Sequence, residues 1–508
     1  MSLIFRVGRS YFWSQFGRVV EAALLFCVSL LLARTLGPAS YGVYALGLSL
    51  IGICSFLASM GIAQETMGRF IPQASDDDPR GSAGCLLRRL VAVRLSAIAI
   101  LGATFCLLRG SLARTFPLSW LTGYMILVLA LFAFRSISDL LMYFFASLFE
   151  LRIVALVKFL VPCADLVILF VGLRHGFISV AFAFGALVAG QLLGLVIFLR
   201  SARNYLQPSA AATPSPEVTI RRVLAFSMFA WLSNIFIFVL SDGSDVLLIG
   251  WLMKDSTEVG YYSVGSSMVF RAVALLLAWL PLLSMPTLSS AYLQKGMQGL
   301  AQAAEAMWKL IAVSLIPPLI LLFRFSHEVV TLFYSQKYLP SIPVLQILAA
   351  LLATTALFGH GLQCGILYTL DHEKIACAVF AGAAIFNMIL GIILIKSFGI
   401  LGAACATGLS FVLFAILSAV VGRAFSPVRC PIGFILHVSL ASLVASVGTL
   451  WLHPTSLVLL VGACALWVCV FLLCLMLTKP ISLQDSVSLR RINLHLGQAA
   501  ERFFAQAG

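Results

Sequence analysis

Leu31-Leu32-Ala33-Arg34-Thr35-Leu36-Gly37-Pro38-Ala39-Ser40-Tyr41-Gly42-Val43-Tyr44 sets the plan of this chain. About 220 residues later, Leu248-Ile249-Gly250-Trp251-Leu252 and Glu258-Val259-Gly260-Tyr261-Tyr262 repeat its outline, aligning Gly42 with Gly260. A second echo keeps nearly the same spacing, Gly176-Phe177-Ile178-Ser179-Val180-Ala181-Phe182-Ala183 matching Gly399-Ile400-Leu401-Gly402-Ala403-Ala404-Cys405-Ala406. Asp165 and Asn387 occupy corresponding places in corresponding apolar segments. A duplicated plan in a membrane protein points to a transporter whose site lies where the repeats meet.

The composition requires the membrane. Of 508 residues, 61% are apolar and 10% charged, too little polar surface to coat a water-soluble globule. The apolar runs are about twenty residues long, enough to span roughly 30 Å of hydrocarbon as helix, and they lack the alternation of a barrel strand. The expected fold is an all-α polytopic membrane protein of about 14 transmembrane helices. It divides into an N-terminal six-helix lobe (1–200), a linker (201–222), a C-terminal six-helix lobe (223–422), an additional helix pair (431–478) and an amphipathic tail (479–508). The linker is read from Gln207-Pro208 to Pro214-Ser215-Pro216, which can form neither core nor span.

In a soluble protein a net charge of +14 would suggest nucleic acid, but here its sidedness accounts for it. Segments on one face hold 19 of the lysines and arginines against 8 on the other, which sets both termini in the cytoplasm and removes nucleic acid from the expected partners. Arg18 and Glu21 interrupt the first apolar run, so no cleavable signal peptide is expected. The cysteines read as small hydrophobes, and neither a metal nor a cofactor is expected. Pro162, Pro281, Pro286 and Pro317-Pro318 are expected to weaken their spans.

A charge near the bilayer centre costs about 2.5–3.5 kcal/mol even on the lenient insertion scale, so each deep ion needs a partner or a wet cavity. Arg271, about ten residues into the eighth span with no acid in reach on its own helix, is read as a cavity-lining cation or one half of an interhelical salt bridge. Arg135 and Asp139 share a helical face and either neutralise each other or serve a site. Arg18 and Glu21 either pair or meet an anionic head group. Lys158, Arg94 and Lys309 lie near span ends, where snorkelling accounts for them, and Lys158 is also a candidate substrate contact. Asp242 and Asp245, three apart, suit coupling to H+ or Na+, with Glu21 as a further candidate; a helix break facing water is the other reading. His360, Gln363, Asn387 and Asn234 are candidates for sugar hydroxyls or helix-to-helix contacts.

The stretches Arg34 to Pro38 with Tyr41 to Tyr44, Asp245 to Gly250 with Val259 to Tyr262, and Phe398 to Ala404 resemble the bacterial polysaccharide-repeat-unit flippases of the multidrug, oligosaccharidyl-lipid and polysaccharide (MOP) exporter superfamily. The resemblance implies two six-helix lobes related by a pseudo-twofold along the membrane normal, and a central cavity that opens alternately to each side. It implies an undecaprenyl-diphosphate-linked glycan as substrate in a bacterial inner membrane, with membrane lipids, a polysaccharide polymerase and chain-length proteins as partners. It also implies cavity arginines on the first and eighth helices, where Arg18 and Arg271 fall, and likens the spans after Ile432 to the extra helix pair of the lipid II flippase. Arg135, Asp139 and Lys158 match no family pattern. Two other classes stay open: a multidrug or cation antiporter of the same superfamily, using Asp165 and Glu21, and a membrane polysaccharide polymerase or ligase. The short outward loops argue against the enzyme.

Overall fold

The computed structural model describes residues 3–62, 66–67, 70–71, 82–115, 121–148, 150–206, 220–278, 280–370 and 372–478. The side chains of 3–16, 18–19, 82, 112–115, 121–123, 204, 220–222, 224–226, 229–230, 281–283 and 285–286 fall outside that description. The 207–216 linker, the Asp76-Asp77-Asp78-Pro79 loop and the amphipathic tail also lie outside the described residues.

The fold is all-helical. Its helices are α1 (Leu3–Ser59), α2 (Ser82–Thr115), α3 (Leu121–Ser147), α4 (Leu151–Arg174), α5 (Val180–Leu206), α6 (Ile220–Val239), α7 (Asp242–Met253) and α8 (Ser256–Leu276). They continue with α9 (Leu280–Arg324), α10 (Ser326–Val329), α11 (Ser341–Thr355), α12 (Leu362–Thr369), α13 (Glu373–Phe425), α14 (Ile432–Gly448) and α15 (Leu457–Thr478). Among the described residues, ten helices are long and apolar enough to cross a membrane, or eleven if α6 and α7, bent by 57°, make one span. The chain is a multi-pass membrane protein. A count of fourteen crossings depends on taking α1 and α13 as two spans each, α6 with α7 as one, and the shorter apolar helix α14 as another.

That division has a backbone cause. Helix α1 breaks at Gly37 (φ 73°), α9 at Gly296 (φ 58°) and α13 at Gly399 (φ 59°). A side chain at positive φ is strained, so glycine is the residue that turns the chain there, and after Gly37 the fixed φ of Pro38 suits the first helical position. The echoes break alike: Gly176 and Gly399 both sit at positive φ, while the counterpart of the Gly37 break is Lys254, left-handed at φ 55°. Pro162 and Pro317-Pro318 lie inside continuous helices and Pro281 lies in the first turn of α9. The interruptions therefore come from glycines and left-handed turns rather than from those prolines.

Two compact units are present, 1–263 with 391–400 and 264–390 with 401–508. They cut the chain elsewhere than the lobes read from the duplicated sequence, and the lobe division stands as a proposal about that duplication. In the first unit the two copies of the opening motif touch. A Cβ on Gly42 would overlap the carbonyl oxygen of Ser256 and lie 2.8 Å from the Gly260 nitrogen; one on Gly260 would overlap the Pro38 carbonyl oxygen and lie 3.3 Å from the Gly42 nitrogen. Backbone packs on backbone there, a contact that only glycine permits.

The second unit carries the helix pair after Pro431. On α15, Leu460, Ala463, Trp467, Phe471 and Leu475 form a buried stripe at helical spacing, while Val458, Val461 and Leu477 are exposed. The Trp467 indole donates to Ser446 Oγ on α14 at 3.0 Å. Beyond α14, the Arg324 guanidinium at the end of α9 donates to the carbonyls of Thr449, Leu450 and Leu452, the last two at 2.9 Å. Thr449 O also accepts the Leu452 N–H at 3.1 Å, and the one cation draws all three carbonyls of the turn together. Arg324→Ala is expected to leave α9 intact but expose the 449–456 turn, read as faster proteolysis there than in Arg324→Lys.

Candidate functional site

Charged side chains from four helices of the first unit lie within electrostatic reach of one another. Lys158 Nζ of α4 lies 2.8 Å from Glu21 Oε2 of α1, an ion pair with both side chains about three-quarters covered. On α3, Asp139 stands one turn beyond Arg135, and the charges acting on its carboxylate are Arg135, Arg94 of α2, Lys158 and Glu21. Three cations therefore share this region with two acids, a surplus of positive charge. Arg135 is exposed, whereas Arg94 is 2% exposed. Arg18 occupies α1 one turn before Glu21, but its side chain lies outside the described residues.

The structure changes the readings of Arg94 and Lys158 and gives Lys309 a partner. Arg94 does not snorkel: it is buried, with Nη2 donating to the Ile62 carbonyl at 3.1 Å and Nη1 lying 3.4 Å from Ser136 Oγ. Lys158 turns to Glu21 across helices, because a carboxylate in reach outweighs a longer path to water. Lys309 pairs with Glu305 one turn earlier, at 3.1 Å.

The other candidates are more dispersed. Asp245 is buried and accepts the Tyr262 hydroxyl, while Asp242 sits in the first turn of α7, immediately after the bend. The helix break is present, but Asp245 does not face water. Arg271 is exposed on α8 in the second unit. It lies fifteen residues after Ser256, deeper along its helix than expected, because α8 starts earlier than the apolar run suggests. His360 and Gln363 come together where the chain passes through three consecutive left-handed residues, Gly359, His360 and Gly361. His360 Nδ1 lies 2.6 Å from Thr355 Oγ1, and the Trp308 indole donates to the Ala356 carbonyl at 2.9 Å. Gln363 is 3% exposed, and its Oε1 has no hydrogen-bond partner among the described residues. Asn387 is buried and its Oδ1 accepts from Thr407 at 3.3 Å and Ser410 at 3.2 Å, linking the two parts of α13. Its counterpart Asp165 is also buried, against Gly190 of α5.

Sequence reasoning missed Arg94, Tyr262 and Arg324 as partners. Arg94 lies twelve residues inside a helix that starts at Ser82, which is a depth signal, but helical spacing could not name Ile62 or Ser136 as its contacts.

A profile of polysaccharide biosynthesis proteins matches residues 31–343, more than half of the sequence. The chain belongs to the polysaccharide biosynthesis protein family. Among curated proteins it is 27% identical over 244 residues to the probable low-salt glycan biosynthesis flippase Agl15 of Haloferax volcanii, a match over 46% of this chain and 48% of that protein. The chain thus spans about half the length of that curated relative. Among solved structures, the lipid II flippase MurJ in an inward closed conformation aligns with a TM-score of 0.67 at 15% identity, over 97% of this chain and all of MurJ. An inward-facing multidrug resistance MATE transporter of the MOP superfamily aligns with a TM-score of 0.67 at 13% identity, over 80% of this chain and 98% of its own. At such identities the likeness is one of fold. This family member has the MurJ and MATE architecture, with the charge cluster inside its first unit.

Proposed function

We propose that the protein moves undecaprenyl-diphosphate-linked glycan repeat units from the cytoplasmic to the outer leaflet of a bacterial inner membrane by alternating access, with both termini cytoplasmic. The observation that carries this reading is the surplus of cations at Arg94, Arg135 and Lys158 among apolar helices. A diphosphate crossing bare hydrocarbon would face an idealised Born penalty of tens of kcal/mol, so it needs a polar passage. Guanidinium groups match phosphate oxygens with forked hydrogen bonds, and an ammonium adds a compact charge. Arg18 and Arg271 are proposed to extend that passage, and His360, Gln363 and Asn387 to meet the sugars. An inside-negative potential favours anion export by about 2.3 kcal/mol per charge per 100 mV. Where cations travel with the anion, return of the empty carrier needs H+ or Na+, a role proposed for Asp242, Asp245 and Glu21.

The test is outward movement of a fluorescent undecaprenyl-diphosphate oligosaccharide in proteoliposomes, scored by quenching from outside. Protein-dependent movement is expected, and Arg271→Ala is expected to stop it while the protein still reconstitutes. Equal movement in empty liposomes would reject the reading. A cation antiporter is favoured by one observation, the buried Asp165 whose Oδ1 has no hydrogen-bond partner among the described residues. Efflux of a fluorescent cation without glycan movement would select it.

A further inference from the structure

Past the end of α1 the chain turns through two consecutive left-handed residues, Met60 (φ 46°) and Gly61 (φ 72°). That turn docks on α6 within the same unit. A Cβ at Gly61 would overlap the Ser227 carbonyl oxygen, Thr66 Oγ1 lies 3.1 Å from Ser227 Oγ, and the Trp231 indole donates to the Phe56 carbonyl at 3.2 Å. A non-glycine residue at positive φ is strained, so a turn containing Met60 persists because its surroundings hold it.

One of those holds is Arg94. Its Nη2 donates to the Ile62 carbonyl, the residue that follows the turn, and its Nε has no hydrogen-bond partner among the described residues. The same guanidinium lies within the electrostatic reach of Asp139, which also feels Arg135, Lys158 and Glu21. A single buried side chain therefore holds the turn while lying within electrostatic reach of the charge cluster.

We propose that Arg94 is a positioning residue that couples occupancy of the charge cluster to the docking of the Gly61 turn on α6. The proposal rests on the reading above, in which the cluster receives a diphosphate. An anion arriving at Arg135 and Lys158 offers Arg94 two or more charged oxygens in place of one neutral carbonyl, and the unpartnered Nε–H completes a forked interaction. The guanidinium then leaves Ile62, the turn loses one of its anchors, and its contact with Ser227 loosens. The ligand shifts the equilibrium because it binds the undocked arrangement better.

Hydrogen–deuterium exchange of the full-length protein in nanodiscs tests this, with undecaprenyl diphosphate as the probe and its binding measured on the same samples. In the wild-type protein, bound lipid is expected to raise exchange in peptides covering 57–67 and 223–231 by about tenfold. Arg94→Gln is expected to show that rise without lipid and little further change with it. Arg94→Lys keeps the charge but cannot fork, and is expected to dock the turn while losing most of the lipid response. Binding with unchanged wild-type exchange overturns the coupling and leaves the transport reading intact. Failure of undecaprenyl diphosphate to bind overturns both. If Arg94→Gln does not reach the membrane, the wild-type comparison with and without lipid decides alone.

Discussion

Gly42→Ala is expected to abolish export and to destabilise the protein by about 3 kcal/mol, the upper end of overpacking costs. The added methyl meets the Ser256 carbonyl and the Gly260 nitrogen, which are main-chain atoms and cannot rotate away as a side chain would. Relief requires α1 and α8 to separate where the two copies of the motif touch. Gly260→Ala is expected to behave alike, since its methyl meets the Pro38 carbonyl. Because both report one contact, the double variant should lose less than the sum of the singles. Gly102→Ala and Gly110→Ala serve as controls: both lie in α2 with nothing within 4 Å of an added Cβ, so they should be neutral or slightly stabilising. Thermal unfolding in detergent and export in cells read the two effects separately. Wild-type behaviour of Gly42→Ala would remove the contact from the argument.

Arg135→Gln with Lys158→Gln is expected to lower glycan movement by about a hundredfold, the scale of two lost charge-assisted contacts of about 1.5 kcal/mol each. Lys158→Gln alone leaves Glu21 without its partner and should lower stability as well as transport, because an unpaired carboxylate inside the bundle is penalised. Adding Glu21→Gln removes that charge, so the Glu21→Gln/Lys158→Gln pair should recover stability without recovering transport. A purely structural role for the pair predicts recovery of both. Transport in proteoliposomes and unfolding temperature, measured on the same preparations, separate the two outcomes.

The duplication was legible because glycine is demanded by the backbone wherever a chain turns at positive φ or packs against another backbone. Gly37, Gly42, Gly176, Gly260 and Gly399 mark such places, although the sequence reading had put the weak points of the spans at prolines. The charges were legible only as a set. Arg135 with Asp139 could be paired by helical spacing, as they lie on one helix. Lys158 with Glu21, Arg94 with Ile62 and Tyr262 with Asp245 each join one helix to a different element, and spacing along one helix carries no information on which neighbour it meets.

Membrane residence, the all-helical class and the repeat followed from the amino-acid sequence by itself, since long apolar runs permit few other structures in lipid and duplicated glycines keep their backbone roles. Tertiary structure alone decided the partner of each buried ion and the stripe of α15 that packs on α14. A helix that is apolar all round presents no preferred face until its neighbours are in place, and an ion inside a bundle takes whichever counter-charge or carbonyl the packing brings within hydrogen-bond distance.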